Sequence, residues 1–301
     1  MVDVMNGFTE QALIFGRSRS LVGILVRPAS ECPAQRPTVV ILNTGIIHRV
    51  GHHRMYVTLA RQLAARGHSV LRFDFSGIGD SRSRDGILNP TAACLEDISE
   101  ALNYLDDLGF GGTFILVGLC SGADIALRYG PSDERVVGLV LLDPTIPPTV
   151  RFYAHYIGRR LMRLRSWLTF ARGRGRIWQD MTERARLVFT KRPQESQSSV
   201  IDPQIRGELE RVYKALVTRG TRLLVVLTGG SMQGRQSYRE QLLEAFPNVP
   251  FDDALVLEHF EDSDHTFTSP SQRERLKNVV LDWTGTMLFA TEAASEHSGH
   301  T

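Results

Sequence analysis

The segment Gly118-Leu119-Cys120-Ser121-Gly122 is the part of the chain that most restricts its possible folds. It follows an apolar run at residues 113–117 that is typical of a buried strand, and it precedes a helical pattern at residues 123–129. A residue at so sharp a turn between strand and helix has a strained backbone, and its neighbours two positions away need to be nearly free of side chains. Gly118 and Gly122 meet that need around Cys120.

A frame shifted by one residue places Ser121 at the apex of the turn instead. Its neighbours two positions away are then Leu119 and Ala123. The leucine side chain does not fit so crowded a position, so we identify Cys120 as the apex residue.

Length and composition exclude several classes of protein. A chain of 301 residues can bury a large core, and its three cysteines are an odd number without metal-ligand spacing, which favours a reducing compartment over a disulfide framework. Residues 1–10 show no signal-peptide pattern, and no run approaches the roughly 20 apolar residues of a membrane span. We therefore expect a cytoplasmic protein without a membrane span.

Strand-like and helical patterns alternate along most of the chain. The predicted strands are residues 21–26, 38–42, 69–73, 113–117, 136–142, 222–228 and 254–257. The predicted helices are residues 56–66, 89–108, 123–129, 236–246 and 272–288, and a polar tail follows them. This alternation predicts an α/β fold with a mostly parallel sheet covered by helices on both faces.

The order of elements resembles the α/β-hydrolase fold, with the Gly118–Gly122 turn matching the nucleophile elbow of that superfamily. The loop at residues 74–81 and the pair Asp264-His265 also look like segments of the family. The resemblance implies a hydrolase core at residues 1–146 and 221–301. It also implies a helical cap at residues 147–220, inserted after the sixth strand.

In this fold the chain order of the catalytic triad is nucleophile, acid and histidine. With Cys120 as nucleophile, His265 lies in the loop expected to carry the base, where a surface histidine without function is the alternative. His259 adjoins the last predicted strand and is the weaker candidate.

The acid is less obvious, because the loop at residues 229–234, its commonest place in the family, holds no carboxylate. Some members carry the acid after the preceding strand, where this chain has Asp143, so we take Asp143 as the acid. The alternative is a turn residue before Pro144. We expect Asp264 to bond its own loop and Asp74 to brace the glycine-bearing loop that follows it.

An oxyanion hole needs two N–H groups aimed at the developing charge. The resemblance implies the amide of Ser121 as one donor, and Gly45 or Ile46 as the other, in Asn43-Thr44-Gly45-Ile46 where the family usually has His-Gly. His48, Arg49, His52, His53 and Arg54 are expected at the mouth, and their spacing predicts no metal site. Substrate contacts are expected from Asn43, Leu119, Tyr153, Tyr156 and Trp167.

A cysteine nucleophile changes the chemistry of such a site. A neighbouring histidine and a helix N-terminus both favour the thiolate form of Cys120, and its acyl-enzyme is a thioester. Exchange between a substrate thioester and Cys120 is close to energetically neutral, which favours acyl groups that arrive as carrier-protein or coenzyme A thioesters. The alternative is an inert core cysteine.

The predicted cap is strongly basic. Residues 151–192 contain twelve arginines and lysines against Asp180 and Glu183, a local net charge of +10 in a chain of net charge +2. Such a surface attracts an acidic partner, and acyl carrier proteins are acidic. A membrane-surface helix or a solvated arginine face remains an alternative, and no nucleic-acid-binding motif supports a nucleic acid.

The sequence thus predicts a cofactor-independent thioesterase-like enzyme with Cys120, His265 and Asp143 as its triad. A more modest resemblance, to bacterial Dieckmann cyclases with a lidded Cys-His-Asp site, implies ring closure as an alternative release step. A non-catalytic hydrolase-fold module that binds a partner is the alternative from another class. The oligomeric state stays open.

Overall fold

The computed structural model describes residues 7–29, 36–84, 86, 89–110, 112–149, 151, 203–230 and 238–297, without the side chains of residues 203 and 288–297. Its strands are β1 (Phe8–Phe15), β2 (Leu21–Pro28), β3 (Thr38–Ile41), β4 (Val70–Phe73), β5 (Phe114–Leu119), β6 (Val136–Leu142), β7 (Arg222–Gly230) and β8 (Leu255–Asp264). The α-helices in this part of the chain are α1 (Met55–Ala65), α2 (Pro90–Leu105), α3 (Ser121–Tyr129), α4 (Pro203–Thr218), α5 (Gln241–Ala245) and α6 (Pro270–His297).

All eight strands belong to one sheet, in the order β1-β2-β4-β3-β5-β6-β7-β8. The strands from β4 through β8 pair in parallel, whereas β1 pairs antiparallel with β2 and β2 pairs antiparallel with β4. The carboxyl ends of the parallel strands therefore lie along one edge. This is the α/β-hydrolase fold that the sequence predicts, and the prediction is confirmed.

Helices cover both faces of the sheet, and β5 shows how the sequence achieves this. Ile115, Val117 and Leu119 pack with side chains of α1 and α6 on one face, whereas Phe114 and Leu116 pack with α2, α3 and α4 on the other. Alternate residues of a strand face opposite ways, so a strand buried on both faces is apolar throughout. Each such side chain contributes about 1.5–3 kcal/mol when fully buried.

Four elements differ from the sequence-based expectation. Strand β1 was not predicted, β8 continues to Asp264 rather than ending at residue 257, and α6 continues to His297. Helix α5 is confined to Gln241–Ala245, while residues 231–237 lie outside the described part. Most of the predicted cap, residues 147–220, also lies outside it, apart from residues 147–149, 151 and 203–220.

None of the helices in the described part of the chain is both long enough and apolar enough to cross a membrane.

The glycine before the elbow gives a stability test of this packing. A Cβ added to Gly118 overlaps the backbone carbonyl of Gly122, so we expect Gly118→Ala to lower the free energy of unfolding by about 3 kcal/mol. Gly207, within α4, has open space around its Cα, and Gly207→Ala is expected to raise stability by up to about 1 kcal/mol. Urea denaturation of both variants measures the two effects. Equal stability of Gly118→Ala and the natural protein contradicts the packing argument.

Candidate active site

Cys120 occupies a strained turn between β5 and α3. Its backbone has φ 55° and ψ −120°, in a region that side-chain-bearing residues rarely adopt. The Cys120 N–H donates to the carbonyl of Leu142 at 2.8 Å, and the Cys120 carbonyl accepts from the N–H of Asp124 at 3.0 Å. The thiol is thus held at the N-terminus of α3, at the carboxyl edge of the sheet.

The two glycines of the elbow allow three elements to meet there. A Cβ on Gly118 overlaps the backbone of Gly122, and a Cβ on Gly122 overlaps the backbone carbonyl of Asn43, directly after β3. The start of α3 therefore lies against the turn that follows β3. The glycine spacing seen in the sequence has its physical reason in these contacts.

His265 and Asp143 meet beside this elbow, although 122 positions separate them in the chain. His265 follows β8 and Asp143 follows β6, and the His265 Nδ1 lies 2.8 Å from Asp143 Oδ2. Both side chains are more than 90% buried. Because Nδ1 faces Asp143, Nε2 is the ring nitrogen left for Cys120.

Hydrogen bonding raises the pKa of His265 to about 10, first through the side chain of Asp143 and then through the side chain of Cys120, against the opposing effect of burial. A pKa this high keeps the imidazole protonated at neutral pH. The structure thus brings together all three residues that the sequence proposed for the triad, with His265 as the cation between the other two.

Thr228, which the sequence analysis did not single out, holds the Asp143 carboxylate. The Thr228 N–H donates to Asp143 Oδ1 at 2.7 Å, and its hydroxyl donates to Oδ2. The Asp143 N–H donates to the Val226 carbonyl at 2.8 Å, and Asp143 itself has a left-handed φ of 46°. The position of Thr228 at the end of β7, beside the end of β6, is the signal that points to it.

Asp124, in the first turn of α3, fixes the loop that follows Asp143. Its carboxylate accepts from the N–H of Thr145 at 2.8 Å and from the Thr145 hydroxyl at 2.7 Å. Burial raises the pKa of Asp124, and these hydrogen bonds oppose that effect. The N-terminus of α3 and the loop that follows β6 are therefore tied to one another directly.

The loop that carries His265 is held by its own backbone and by its neighbours. The His265 N–H donates to the Gly230 carbonyl at 2.8 Å, and Asp264 Oδ1 accepts from the N–H of Thr268 at 2.8 Å. Asp264 thus bonds its own loop, as expected. His259 lies within β8, where it pairs with Leu227, and not in the loop that carries His265.

The turn after β3, residues 44–47, lies against the N-terminus of α3. The Ile47 N–H donates to the Thr44 carbonyl at 2.9 Å, and the Gly45 N–H donates to the Ser121 hydroxyl at 2.7 Å. Ile46 is 89% exposed. The structure therefore brings the three residues predicted for the oxyanion hole into one neighbourhood.

Asp74 braces the glycine-bearing loop after β4, as the sequence predicts, by accepting from the N–H of Asp80 at 3.2 Å. It also accepts from the Arg49 N–H at 2.6 Å and forms an ion pair with the Arg49 guanidinium. Arg49 is therefore turned toward a buried carboxylate and not toward the mouth of the site, where we had expected it.

His52 lies in the short 3₁₀ helix His52–Arg54 that precedes α1. Burial lowers the pKa of His52, and the positive charges of His53 and then His265 act in the same direction, while Asp264 opposes them. The ionisation of His52 is therefore coupled to that of His265.

Two expected substrate contacts are corrected by the structure. Leu119 is fully buried in the core. Asn43 is 2% exposed, and its side chain bonds the Ile47 carbonyl, the Asp74 carboxylate and the Phe75 N–H, so it organises loops instead. Tyr153, Tyr156 and Trp167 lie outside the described residues, as does the basic stretch apart from Arg151, whose guanidinium pairs with Glu244 at 3.0 Å.

Comparison with known families gives one match that covers more than half of the chain. A family model described as serine aminopeptidase, S33, matches residues 36–224. That description names a serine enzyme, whereas the elbow of this chain carries Cys120. No curated protein sequence matches the chain significantly.

Solved structures share the fold at low sequence identity. An esterase of Pyrococcus furiosus is 16% identical with a TM-score of 0.53, covering 93% of this chain and 92% of its own. Proline iminopeptidase of Mycobacterium smegmatis is 15% identical with a TM-score of 0.53, covering 94% and 99%. A serine hydrolase of Xanthomonas campestris described as lacking a lid is 15% identical with a TM-score of 0.53, covering 91% and 93%.

The protonation state of His265 gives a direct test of the site geometry. Because Asp143 is the main cause of the raised pKa of His265, we expect Asp143→Asn to leave this imidazole neutral at about pH 8, where the natural protein keeps it protonated. Nitrogen chemical shifts of the imidazole across a pH titration measure the change. His68, whose pKa burial lowers and whose Nδ1 lies 2.9 Å from the Pro37 carbonyl, serves as the unchanged internal control.

The same titration has a consequence for stability. Since the folded-state pKa of His265 lies above its ordinary value of 6.5, protonation stabilises the fold fully below pH 6.5, and that contribution is lost as pH rises through about 10.

In the imidazole titration, an unchanged His265 pKa in Asp143→Asn contradicts the assignment of Asp143 as the residue that raises the pKa of His265.

Proposed function

The chain belongs to the serine aminopeptidase S33 family of α/β-hydrolases, and we propose that it is a cysteine-dependent member that takes an acyl group from a thioester and releases it, by default to water. Cys120 is the nucleophile, His265 relays the proton and Asp143 orients His265. The amide of Ser121 and an amide of the turn after β3 hold the oxyanion.

The position of Cys120 at the strained elbow, beside the buried pair of His265 and Asp143 at 2.8 Å, is the observation that carries this proposal. A serine nucleophile needs a neutral imidazole to accept its proton during the attack. A cysteine thiolate needs no such base, and it is stabilised by the imidazolium and by the N-terminus of α3. A charged His265, which Asp143 and then Cys120 favour, therefore fits attack by a cysteine thiolate.

In the acylation step, the Cys120 thiolate attacks the carbonyl carbon of the thioester. A carbon–sulfur bond forms to Cys120, and the carbonyl electron pair moves onto oxygen, where the two N–H groups stabilise it. When this pair returns, the bond to the carrier sulfur breaks. The leaving thiolate takes the proton of His265, so a neutral thiol departs and His265 becomes neutral.

In the release step, the neutral His265 accepts a proton from water. The resulting hydroxide adds to the acyl-Cys120 carbonyl, the oxyanion forms again, and its collapse expels the Cys120 thiolate with the free acid as product. His265 is again an imidazolium beside a thiolate. Asp143 faces His265 throughout, and its two bonds from Thr228 keep the imidazole oriented in both protonation states.

The nature of the nucleophile also supports a thioester as substrate. Attack of one thiolate on another thioester is close to energetically neutral, whereas attack on an ester or amide forms a more reactive acyl group from a less reactive one. We propose that the acyl group arrives on a carrier thiol, with an acidic acyl carrier protein meeting the basic stretch at residues 151–192. Ring closure is the alternative release step. There the neutral His265 takes a proton from carbon, the resulting carbanion attacks the acyl-Cys120 carbonyl, and the Cys120 thiolate leaves.

Acyl transfer to the thiol can be tested by intact-protein mass spectrometry. After exposure to acyl-pantetheine thioesters, we expect an acyl adduct in the natural protein, none in Cys120→Ala, and an unchanged adduct in His259→Ala, because His259 lies outside the His265 loop. The released small molecule, identified in the same reaction, distinguishes a free acid from a cyclised product. Absence of any adduct with every thioester, together with carrier-protein binding, supports a binding module instead.

Turnover provides a separate test of the acid. Replacing Asp143 with asparagine removes the group that orients and charges His265, so we expect turnover to fall about 10²–10⁴-fold. A matched change, Asp133→Asn, alters a carboxylate that bonds Tyr129 and Arg135 beyond the end of α3, and it should leave turnover unchanged. Equal turnover in Asp143→Asn and the natural protein rules out Asp143 as the acid.

A further inference from the structure

Ser121, the residue after the nucleophile, has a side chain that the proposed chemistry does not use. Its hydroxyl oxygen accepts a hydrogen bond from the N–H of Gly45 at 2.7 Å. This bond joins residues 76 positions apart, from the first residue of α3 to the turn that carries the second oxyanion donor. It therefore connects the two halves of the oxyanion hole.

The remaining bonds of this turn hold its ends. Thr44 shares a hydrogen bond of 2.6 Å with the hydroxyl of Tyr56, and the Asn43 side chain donates to the Ile47 carbonyl at 2.8 Å. Both attachments lie outside the central peptide between Gly45 and Ile46. Among the residues that the structure describes, the Ser121 hydroxyl is the hydrogen-bond partner that fixes the centre of the turn to the nucleophile helix.

The bond also decides which amide of the turn can serve the oxyanion. The Gly45 N–H is already engaged with Ser121, whereas the described residues provide no acceptor for the N–H of Ile46. Gly45 has φ 53°, a left-handed conformation that glycine adopts without strain, which gives the turn its shape. Ile46 is then the donor that stays available beside the Ser121 amide.

We propose that the Ser121 hydroxyl is a positioning residue that locks the turn at residues 44–47 against α3, so that the Ile46 and Ser121 amides point at one oxygen. The proposal rests on the acyl-transfer function proposed above. The Gly45 N–H then serves the structural hydrogen bond to Ser121, and the Ile46 N–H is the second oxyanion donor. Donors preorganised in this way act on the charge that develops in the transition state, so a loosened turn slows each step that forms an oxyanion.

Two reactions of Cys120 separate this role from a general effect on the thiol. Acylation by an acyl-pantetheine thioester forms an oxyanion, whereas alkylation by iodoacetamide displaces iodide without forming one. Both reactions need the thiolate and its His265 partner. Loss of a residue that positions the oxyanion donors therefore lowers the acylation rate and leaves the alkylation rate unchanged.

The variants for this comparison are Ser121→Ala, which removes the acceptor, and Ser121→Thr, which retains a hydroxyl. Ser132→Ala is the matched control, because the Ser132 hydroxyl bonds the Tyr129 carbonyl at the far end of α3. We expect Ser121→Ala to slow acylation about 10–100-fold while its alkylation rate stays within about twofold of the natural protein. Ser121→Thr should recover most of the acylation rate, and Ser132→Ala should match the natural protein in both reactions.

An acylation rate in Ser121→Ala equal to that of the natural protein overturns the proposal. So does a parallel fall in both rates, which assigns Ser121 to the reactivity of the thiol. If the natural protein is not acylated at all, the proposed function fails, and hydrogen exchange of the Gly45 amide still tests the bond itself. That amide should lose protection in Ser121→Ala and keep it in Ser121→Thr, and retained protection in Ser121→Ala refutes the lock.

Discussion

The strained backbone of Cys120 is the constraint around which the carboxyl edge of the sheet is organised. A non-glycine residue at φ 55° costs about 1–3 kcal/mol, and it persists only where its surroundings fix it. Here β5 enters the turn and α3 leaves it, the Cys120 N–H bonds Leu142 of β6, and the bare backbone of Gly122 lies against Asn43. The Cys120 thiol, the loop that follows β6 and the turn that follows β3 are therefore positioned by the same few contacts, and a larger side chain at Gly118 or Gly122 disturbs all three.

Electrostatics then determine what the positioned thiol can do. Asp143 is fixed by Thr228 and faces His265, and the pKa of His265 rises to about 10 because Asp143 and then Cys120 stabilise its charge. An imidazolium can give its proton to a leaving thiolate, whereas only the neutral imidazole can accept a proton from a serine hydroxyl. The proposed cysteine nucleophile and a charged His265 thus stabilise each other. In the mechanism that we propose, the attack therefore needs no initial proton transfer from the nucleophile.

Much of this arrangement follows from the sequence, because it depends on local chemistry. The glycines around Cys120 predicted the elbow, and the lack of a carboxylate at residues 229–234 led to Asp143.

Other features were not predictable from local patterns. Strand β1 was not predicted because only Leu13 and Phe15 of its eight residues are buried. The end of β8 was not predicted because four of its last seven residues are acidic, and acidic residues have low strand propensity. Pairing with β7 overrides that propensity. The side chains of Thr228, Asp124 and Ser121 form hydrogen bonds to residues far away in the chain. The spacing of apolar residues in the sequence does not predict such bonds. Arg49 was expected at the mouth, but the buried carboxylate of Asp74 holds it inside.

We propose that Cys120, and not the adjacent Ser121, carries the acyl group. Single-turnover reaction with an acyl-pantetheine thioester, acid quenching and peptide mapping by tandem mass spectrometry locate that group directly. Neutral hydroxylamine then distinguishes a thioester, which it cleaves readily, from an oxygen ester, which resists it. We expect an acyl group on Cys120 that hydroxylamine releases. An acyl group on Ser121 that survives the treatment contradicts it.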